Sequence, residues 1–428
     1  MKKIFTFITL ALAGAISAFS QPAEGYYRVK NAQTNKYISL INDKIDDANR
    51  ASLERGGGGY AFALRMKDQA EVISDPGSIM HLAPGTGEKD NYILEGQGMN
   101  TYKLTHLYLT IFTGTEYRAD GTAVASTLSG AYWMYGTHSG VRRYLFDTVS
   151  KVDIDYDWDK GKVKGYSCLE GAGSSKTLDA KANWYFNPID NVNEYFALTP
   201  EVEAEGKYYT TIFCSFPFKV GEGMKVWTIK EYTDRNNLAE AAQIVEVEDG
   251  IVPGNTAVII ECKSKNPTDN KVTLLTASEA SGKSVKTVLE GRYFGYIPRT
   301  SDGLTENENM SELKDALPYT PSQMRVLGVA DGKLALVKPS ENGKDKQLVV
   351  TKSSKYMLPN KAFLQFANVP NVISLTTEPL SIRTVGQEKA QNTDIYNLQG
   401  QKVADKGTNI DELPRGLYII NGKKVIKD

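Results

Sequence analysis

The sequence predicts a mainly β protein, and three observations support this fold class. The chain contains 24 tyrosines and 37 glycines among its 428 residues, and aromatic side chains favour strands. Turn-forming residues recur at short intervals along the chain, whereas patterns typical of long helices are scarce. A chain of this length exceeds what one hydrophobic core usually holds, so we expect two to four domains.

Residues 1–20 have the pattern of a secretory signal peptide. Lys2 and Lys3 precede an apolar run over 4–19, and Ala18 and Ser20 place small residues at the −3 and −1 positions before Gln21. No cysteine follows that site, which argues against a lipid anchor, and no later run reaches the length of a transmembrane helix. We therefore expect an exported protein, extracellular, on the outer cell surface or in the periplasm, without a transmembrane segment in the mature chain.

The charge of the chain is balanced. Its formal net charge of −1 becomes −3 when Lys2 and Lys3 leave with the signal peptide. Nucleic acids and anionic membranes attract basic surfaces, and this balance provides no such electrostatic footprint. We expect no nucleic-acid partner.

The first domain predicted after the signal peptide spans residues 21–198. Strand patterns over 25–31 and 36–40 flank a polar turn at 32–35, with a weaker echo at 165–169 and 184–186. This arrangement resembles the opening strands of ricin-like β-trefoil repeats, which implies a β-trefoil-like domain. Ricin-type sugar sites use a Gln-x-Trp element, and none occurs here, so the resemblance supplies no sugar-binding residues.

Two shorter segments of this domain carry local predictions. Residues 46–55 are compatible with one short helix, because the four glycines at 56–59 can end it. The turn-rich segment 74–78 separates apolar residues at 70–73 from those at 79–82, which predicts a hairpin.

Four aspartates alternate with other residues over 153–159 and look at first like a calcium loop. Such a loop needs glycine at its sixth position and glutamate at its twelfth, and neither is present. A hairpin turning at Lys160 and Gly161 explains the spacing better, because it pairs Asp159 with Lys162 and Asp157 with Lys164. We therefore predict a hairpin with opposed charges and no metal.

Residues 199–380 are predicted to form an antiparallel β-sandwich, in one or two subdomains. Strand patterns follow one another at 208–218, 224–229, 244–247 and 257–261 without long helices between them. The segments 208–218 and 251–260 resemble a module found in secreted Bacteroidota proteins of unassigned function. That resemblance brings no catalytic residues.

A linker is predicted at 381–393, followed by a small C-terminal β module at 394–428. Asn421-Gly422 is a strong hairpin signal, and a two-residue turn there pairs Ile420 with Lys423 and Tyr418 with Val425. The segments 395–400, 413–418 and 421–425 resemble C-terminal sorting modules of proteins exported by Bacteroidota, of the type IX secretion kind. The resemblance implies recognition by an export machinery; the alternative is a terminal β module without a sorting role.

The cysteines are Cys168, Cys214 and Cys262, far apart and without metal-ligand spacing. We predict buried thiols that behave as small apolar side chains, with a Cys214–Cys262 disulfide as the alternative.

The sequence assigns no catalytic residue, no metal ligand and no cofactor. The three histidines lack paired spacing for zinc. His138 lies within a Gly-rich segment whose Ser139 stands one position late for a nucleophile elbow, and Ser311 with Lys314 forms a chance-level S-x-x-K pattern without its companion motifs.

The candidate binding residues are Trp133 and Tyr135, which share one face of a predicted strand. Flat aromatic rings suit stacking on sugars, although a purely structural role is also open. We therefore expect an exported, non-enzymatic binding protein, with a glycan or a surface protein as partner. The alternatives are a secreted hydrolase acting on polysaccharide or peptide, and a structural envelope protein.

Overall fold

A computed structural model describes most of the chain. The described residues are 22–40, 52–53, 62–85, 91–96, 108–112, 115–117, 123–126, 130–138, 141–156, 161–171, 183–232, 240–293, 317–340, 347–350, 355–378, 394–405, 408, 410–420 and 423–427. Of these, 47% lie in strands and 5% in helices, which confirms the mainly β fold class. The predicted signal peptide and the linker at 381–393 lie outside the described residues. Within the described ranges, no helix has the length and apolarity needed to cross a membrane.

The described residues of the N-terminal region form thirteen strands and one short helix, α1 (Gln69–Val72), followed by a 3-10 turn at Pro76–Ser78. The strands are β1 (Gly25–Asn31), β2 (Tyr37–Leu40), β3 (Ser52–Leu53), β4 (Phe62–Lys67), β5 (Met80–Pro84), β6 (Asn91–Glu95), β7 (Tyr108–Phe112), β8 (Thr115–Tyr117), β9 (Ala123–Ser126), β10 (Tyr132–His138), β11 (Val141–Tyr156), β12 (Gly161–Gly171) and β13 (Asn183–Pro188).

Six of these strands form a closed ring. Strand β1 pairs with β5, β5 with β6, β6 with β7, β7 with β10, β10 with β13, and β13 returns to β1, always antiparallel. Strands β2 and β4 extend the sheet from β1, and β11 and β12 extend it from β10. A closed ring leaves none of its six strands as a free edge.

The structure corrects three local predictions. The segment before Ser74 is helix α1 rather than a strand, so 74–78 joins a helical turn to β5 and is not a hairpin. The short helix predicted over 46–55 is wrong at 52–53, which form strand β3 paired with β4. The hairpin of alternating acids exists, but Asp155 lies opposite Lys162 and Asp153 opposite Lys164.

The shift of this last hairpin has a physical explanation. Because the acids occur at every second position, moving the register by four residues keeps aspartates opposite lysines and preserves the faces of both strands. The charge pattern therefore predicted the pairing of the strands but not the place of the turn.

In the parts of the middle region that the structure describes there are seventeen strands and a 3-10 turn at Pro267–Asp269. The strands are β14 (Phe196–Ala197), β15 (Val202–Ala204), β16 (Lys207–Ile212), β17 (Phe218–Val220), β18 (Lys225–Thr228), β19 (Ala241–Gln243), β20 (Val245–Glu246), β21 (Ile251–Val252), β22 (Val258–Cys262), β23 (Lys271–Leu274), β24 (Leu289–Gly291), β25 (Met324–Ala330), β26 (Lys333–Val337), β27 (Leu348–Val350), β28 (Lys355–Met357), β29 (Ala362–Gln365) and β30 (Val372–Thr376).

Three packed sheets, which we call the sheet stack, organise this region. The central sheet has the order β15-β16-β22-β18-β20, and it lies between a four-stranded sheet, β14-β23-β17-β21, and a six-stranded sheet, β19-β30-β26-β25-β29-β24. One core joins Ile259 of the central sheet to Leu336 and Ile373 of the six-stranded sheet. A second core joins Ile260 to Phe218 of the four-stranded sheet. The described sheets thus form three layers with two cores, and the β-sandwich assignment of residues 199–380 stays a prediction.

Two further features distinguish the six-stranded sheet. A small third core, which includes Met324, Leu348 and Phe363, joins it to the hairpin β27–β28. Strand β19 pairs with β30 in parallel, an exception to the antiparallel prediction.

The C-terminal region is a four-stranded sheet with a 3-10 turn at Ile410–Glu412. Its strands are β31 (Ile395–Asn397), β32 (Lys402–Ala404), β33 (Gly416–Ile420) and β34 (Lys423–Lys427). The predicted hairpin is confirmed, because Ile420 pairs with Lys423 and Tyr418 with Val425. Side chains of this region alone make up its core of Ile395, Tyr418, Ile420 and Val425.

Candidate binding site

The two sequence-predicted binding residues lie in the closed ring. Both belong to β10, where Trp133 pairs with Phe112 of β7 and with Asn183 of β13, and Tyr135 pairs with Thr110 and with Tyr144 of β11. Their side chains lie outside the described residues, so their role in binding stays a prediction. On the same strand, the ring of Tyr132 meets buried Phe186 edge-on at 5.8 Å between centroids.

A buried arginine fastens the closed ring to the sheet stack. Arg28 of β1 is almost fully buried and forms an ion pair with Glu194 at 3.1 Å. Its guanidinium also donates to the carbonyl oxygen of Tyr195 at 2.7 Å and to that of Val72 at 2.7 Å. Burial lowers the pKa of Arg28, and the Glu194 carboxylate opposes that shift. Because a buried charge is costly unless its hydrogen bonds are satisfied, this network holds the segment that leads into the stack in one position.

Apolar contacts and two hydrogen bonds also connect the N-terminal region to the sheet stack. Ile79 of the N-terminal region belongs to the same core as Phe216 of the stack. The Ala197 amide donates to the Ile73 carbonyl oxygen at 3.1 Å, and the hydroxyls of Ser74 and Thr199 lie 2.6 Å apart. The two regions therefore meet through a packed, hydrogen-bonded contact.

A cavity of about 220 Å³, which we call the junction cleft, lies at this contact. Its walls come from three separated parts of the sequence: 67–76 of the N-terminal region, 198–199 before β15 with 210–212 of β16, and the segment 358–361 that leads into β29. The lining residues are Lys67, Ser74, Asp75, Pro76, Leu198, Thr199, Thr210, Thr211, Ile212, Leu358, Pro359, Asn360 and Lys361.

The N-terminal wall is built on a buried ion pair. The Lys67 Nζ lies 2.6 Å from Asp75 Oδ2, and both side chains are 7% exposed. Asp75 also accepts hydrogen bonds from the Ser39 hydroxyl at 2.5 Å and from the Gly77 amide at 2.9 Å. These bonds satisfy the carboxylate, so this pair serves mainly to shape the wall.

The opposite wall carries a more accessible lysine. Lys361 is 30% exposed and pairs with Glu201 at 3.0 Å. Its Nζ also donates to the Thr210 hydroxyl at 3.2 Å and to the Thr211 carbonyl oxygen at 3.4 Å. The Thr210 hydroxyl in turn donates to Glu201 at 3.1 Å, which closes a small network.

The Thr210 hydroxyl and the Lys361 amine are the group types of a nucleophile and its base, but the hydroxyl is not accessible to a substrate. Thr210 is only 1% exposed, and an ammonium that is ion-paired with a carboxylate cannot accept a proton from the hydroxyl. The geometry instead suits binding, because the cleft presents hydroxyls and one partly exposed cation beside apolar side chains. Among the described residues, no group of His, Cys, Asp and Glu side chains could hold a metal ion.

Two of the cysteines, Cys214 and Cys262, are free thiols. Cys214 and Cys262 are both buried and unpaired with each other, so the disulfide alternative does not hold. Burial raises the pKa of Cys262 to about 12 and also raises that of Cys214. Neither residue lines the cleft.

Comparisons with known proteins add no family to this description. No family model matches the chain, and neither a curated protein nor a solved structure matches it.

Sequence reasoning missed the junction cleft because no local pattern marks it. Lys67, Thr199 and Lys361 are far apart in the chain, and each occurs in an ordinary strand or loop context. Their proximity depends on how the closed ring docks on the stack, which is a tertiary property.

Proposed function

We propose that this protein is an exported, non-enzymatic binding protein that acts outside the cell or on its outer surface, with a glycan as its ligand. The observation that carries the proposal is the junction cleft at a fixed contact between two β regions. Sites on rigid elements hold their side chains in place before the ligand arrives, which lowers the entropic cost of binding.

The chemistry of the cleft supports a saccharide ligand. The Ser74 and Thr199 hydroxyls, which lie 2.6 Å apart, can each accept further hydrogen bonds, and one of them can donate. Pro76, Leu198 and Pro359 supply apolar surface beside them. A sugar ring offers both kinds of surface, hydroxyls at its edge and C–H groups on its faces.

The closed ring of β1, β5, β6, β7, β10 and β13 supports the β-trefoil-like interpretation of residues 21–198. In such a domain the repeats contribute strands to a common closed sheet, and the opening strand pair at 25–40 is the part that resembles ricin-like repeats. On this proposal Trp133 and Tyr135 of β10 provide a second sugar-binding surface, separate from the cleft.

Export is supported by the signal-peptide pattern at 1–20 and by the C-terminal sheet. That sheet has its own core of Ile395, Tyr418, Ile420 and Val425, as a module recognised separately from the rest would need. The proposed partner of this module is an export machinery of the type IX kind.

A glycan array probed with the chain from residue 21 to 428 tests the binding proposal. We expect saturable signals for a restricted set of glycans, and a heat-denatured sample of the same protein serves as the control. A folded protein that gives no signal above background on any glycan would contradict the proposal and favour a structural envelope role. Dose-dependent release of products from labelled polysaccharides or casein would instead favour the hydrolase alternative.

A further inference from the structure

We propose that the junction cleft binds a carboxylate-bearing sugar residue, such as a uronic acid, and that Lys361 pairs with its carboxylate. This inference rests on the proposed glycan-binding function and assigns a site and a ligand class to it.

The charge of the lining favours an anionic group. Among the described residues that line the cleft, the cations are Lys67 and Lys361 and the carboxylate is Asp75. Lys67 and Asp75 neutralise each other in a buried pair. The remaining cation that faces the cleft is Lys361, and its pairing carboxylate, Glu201, does not line the cavity.

Lys361 can take up a ligand oxygen without losing its main partner. An ammonium has three N–H donors, and Lys361 directs them to Glu201 at 3.0 Å, the Thr210 hydroxyl at 3.2 Å and the Thr211 carbonyl at 3.4 Å. The contact with the carbonyl is the longest of the three and close to the limit of a hydrogen bond. A carboxylate oxygen that replaces it gains a shorter, charge-assisted bond.

Glu201 keeps the lysine in position for this exchange. Its second carboxylate oxygen accepts from the Thr210 hydroxyl at 3.1 Å, so the ion pair is tied to strand β16. The backbone also fixes the lysine, because the amide of the next residue, Ala362, donates to the Thr211 hydroxyl at 3.1 Å. The ammonium is therefore oriented before a ligand arrives.

The size and the remaining groups limit the ligand to about one ring. A cavity of about 220 Å³ is smaller than the roughly 300–1,000 Å³ of sites that enclose drug-sized ligands. The Ser74 and Thr199 hydroxyls can form the hydrogen bonds that a sugar hydroxyl requires. Pro76 and Leu198 provide apolar side chains for the C–H face of the ring. One ring with both hydroxyls and a carboxylate matches this combination.

Binding of D-glucuronic acid, with D-glucose as the neutral comparison, tests the assignment by titration calorimetry and ligand-observed NMR. We expect the wild-type protein to bind glucuronate and to bind glucose more weakly by about tenfold, the value of one charge-assisted hydrogen bond. Raising the salt concentration should weaken glucuronate binding more than glucose binding, because salt screens the ion pair.

Lys361→Met should lower glucuronate affinity by about tenfold and lower glucose affinity by less. Lys361→Arg retains the charge and should bind glucuronate better than Lys361→Met does. The matched control is Lys283→Met, which removes a lysine paired with Asp249 at 2.7 Å on the exposed surface. Thr199→Val removes one cleft hydroxyl with little change in volume and should weaken both sugars.

The outcomes separate this inference from the proposed function. Equal glucuronate binding by wild type and Lys361→Met, with both folded by circular dichroism, would overturn the assignment of Lys361. Array signals confined to neutral glycans, with no glucuronate binding, would overturn the ligand class while glycan binding itself stands. An array without signal for any glycan would contradict both the glycan-binding function and the uronic-acid assignment.

Discussion

The central sheet of the stack and the C-terminal sheet are built from similar short strands, but neighbouring structure covers them differently. In β22 the successive residues Val258, Ile259 and Ile260 are all fully buried, because a core lies on each face of the sheet. In the C-terminal sheet Tyr418 and Ile420 of β33 are buried, whereas Val403 of β32 is 42% exposed. A sheet covered on both faces has a continuous apolar run, and a sheet covered on one face keeps alternation. The central sheet and the C-terminal sheet therefore differ in the burial of their second face and not in how their strands pair.

The largest effect is expected from Ile259→Ala in the central sheet. The side chain is fully buried in the core shared with the six-stranded sheet, so its truncation should lower the free energy of unfolding by about 2–5 kcal/mol. Denaturant unfolding followed by fluorescence measures the change. Leu398→Ala, at an exposed position, is the control and should change the stability by less than about 0.5 kcal/mol.

Thiol labelling gives a second measurement for the same variant. Cys214 and Cys262 are buried and their thiol pKa values are raised, so in the native protein these two thiols should react slowly with an alkylating reagent at pH 7. Ile259→Ala should speed the labelling by making opening of the stack more frequent. Unchanged labelling together with unchanged stability would show that burial of Ile259 between the two sheets does not stabilise the stack.

A smaller and more local effect is expected from Ile420→Ala in the C-terminal sheet. This side chain belongs to a core made from its own region and keeps 8% exposure, so the cost, about 2–3 kcal/mol, should fall on that sheet. Hydrogen exchange should show loss of protection in β31 to β34, with protection of β22 unaltered. Equal loss of protection in both sheets would mean that the two regions unfold as one unit.

The smallest effect is expected from Asp249→Asn on the surface of the stack. Hydrogen bonds from Lys283 and from the Ile251 amide hold the pKa of Asp249 below its usual range. A lowered carboxyl pKa stabilises the fold above the ordinary pKa of about 4, and this contribution disappears as the pH falls through the lowered value. Because both side chains are about two-fifths exposed, we expect at most about 0.5 kcal/mol at pH 7. Denaturation curves of both proteins at pH 7 and pH 2 should differ more at pH 7 than at pH 2.

The features predicted correctly from the sequence are those set by local chemistry. Asn421 and Gly422 tolerate the backbone angles of a two-residue turn, and the register of the hairpin that they imply is the one observed. The register of β11 and β12 was predicted four residues away, because evenly spaced acids fit lysines equally well in either position. Local signals fix a register only where a turn sequence is distinctive.

The features that sequence patterns could not predict depend on distant parts of the chain. The third layer of the stack forms because β14 pairs with β23 and β17 with β21, and each of these strands is too short to be distinctive. The junction cleft likewise joins Ser74, Thr199 and Lys361 through the docking of separate regions. Trp133 and Tyr135, the sequence-derived candidates, belong to strand β10 of the closed ring.

The closure of the ring has a consequence for how the chain folds. Strand β1 makes its last pairing with β13, so Val29 meets Phe186 only after more than 150 residues have been added. Such non-local pairing delays folding, because a large loop must be closed before the contact stabilises it. A chain that emerges with its N-terminus first therefore carries one unpaired edge of β1 until residue 188 is available. Until β13 has docked, the exposed edge of β1 can pair with another chain. The yield of refolded protein should therefore fall as the protein concentration during refolding rises.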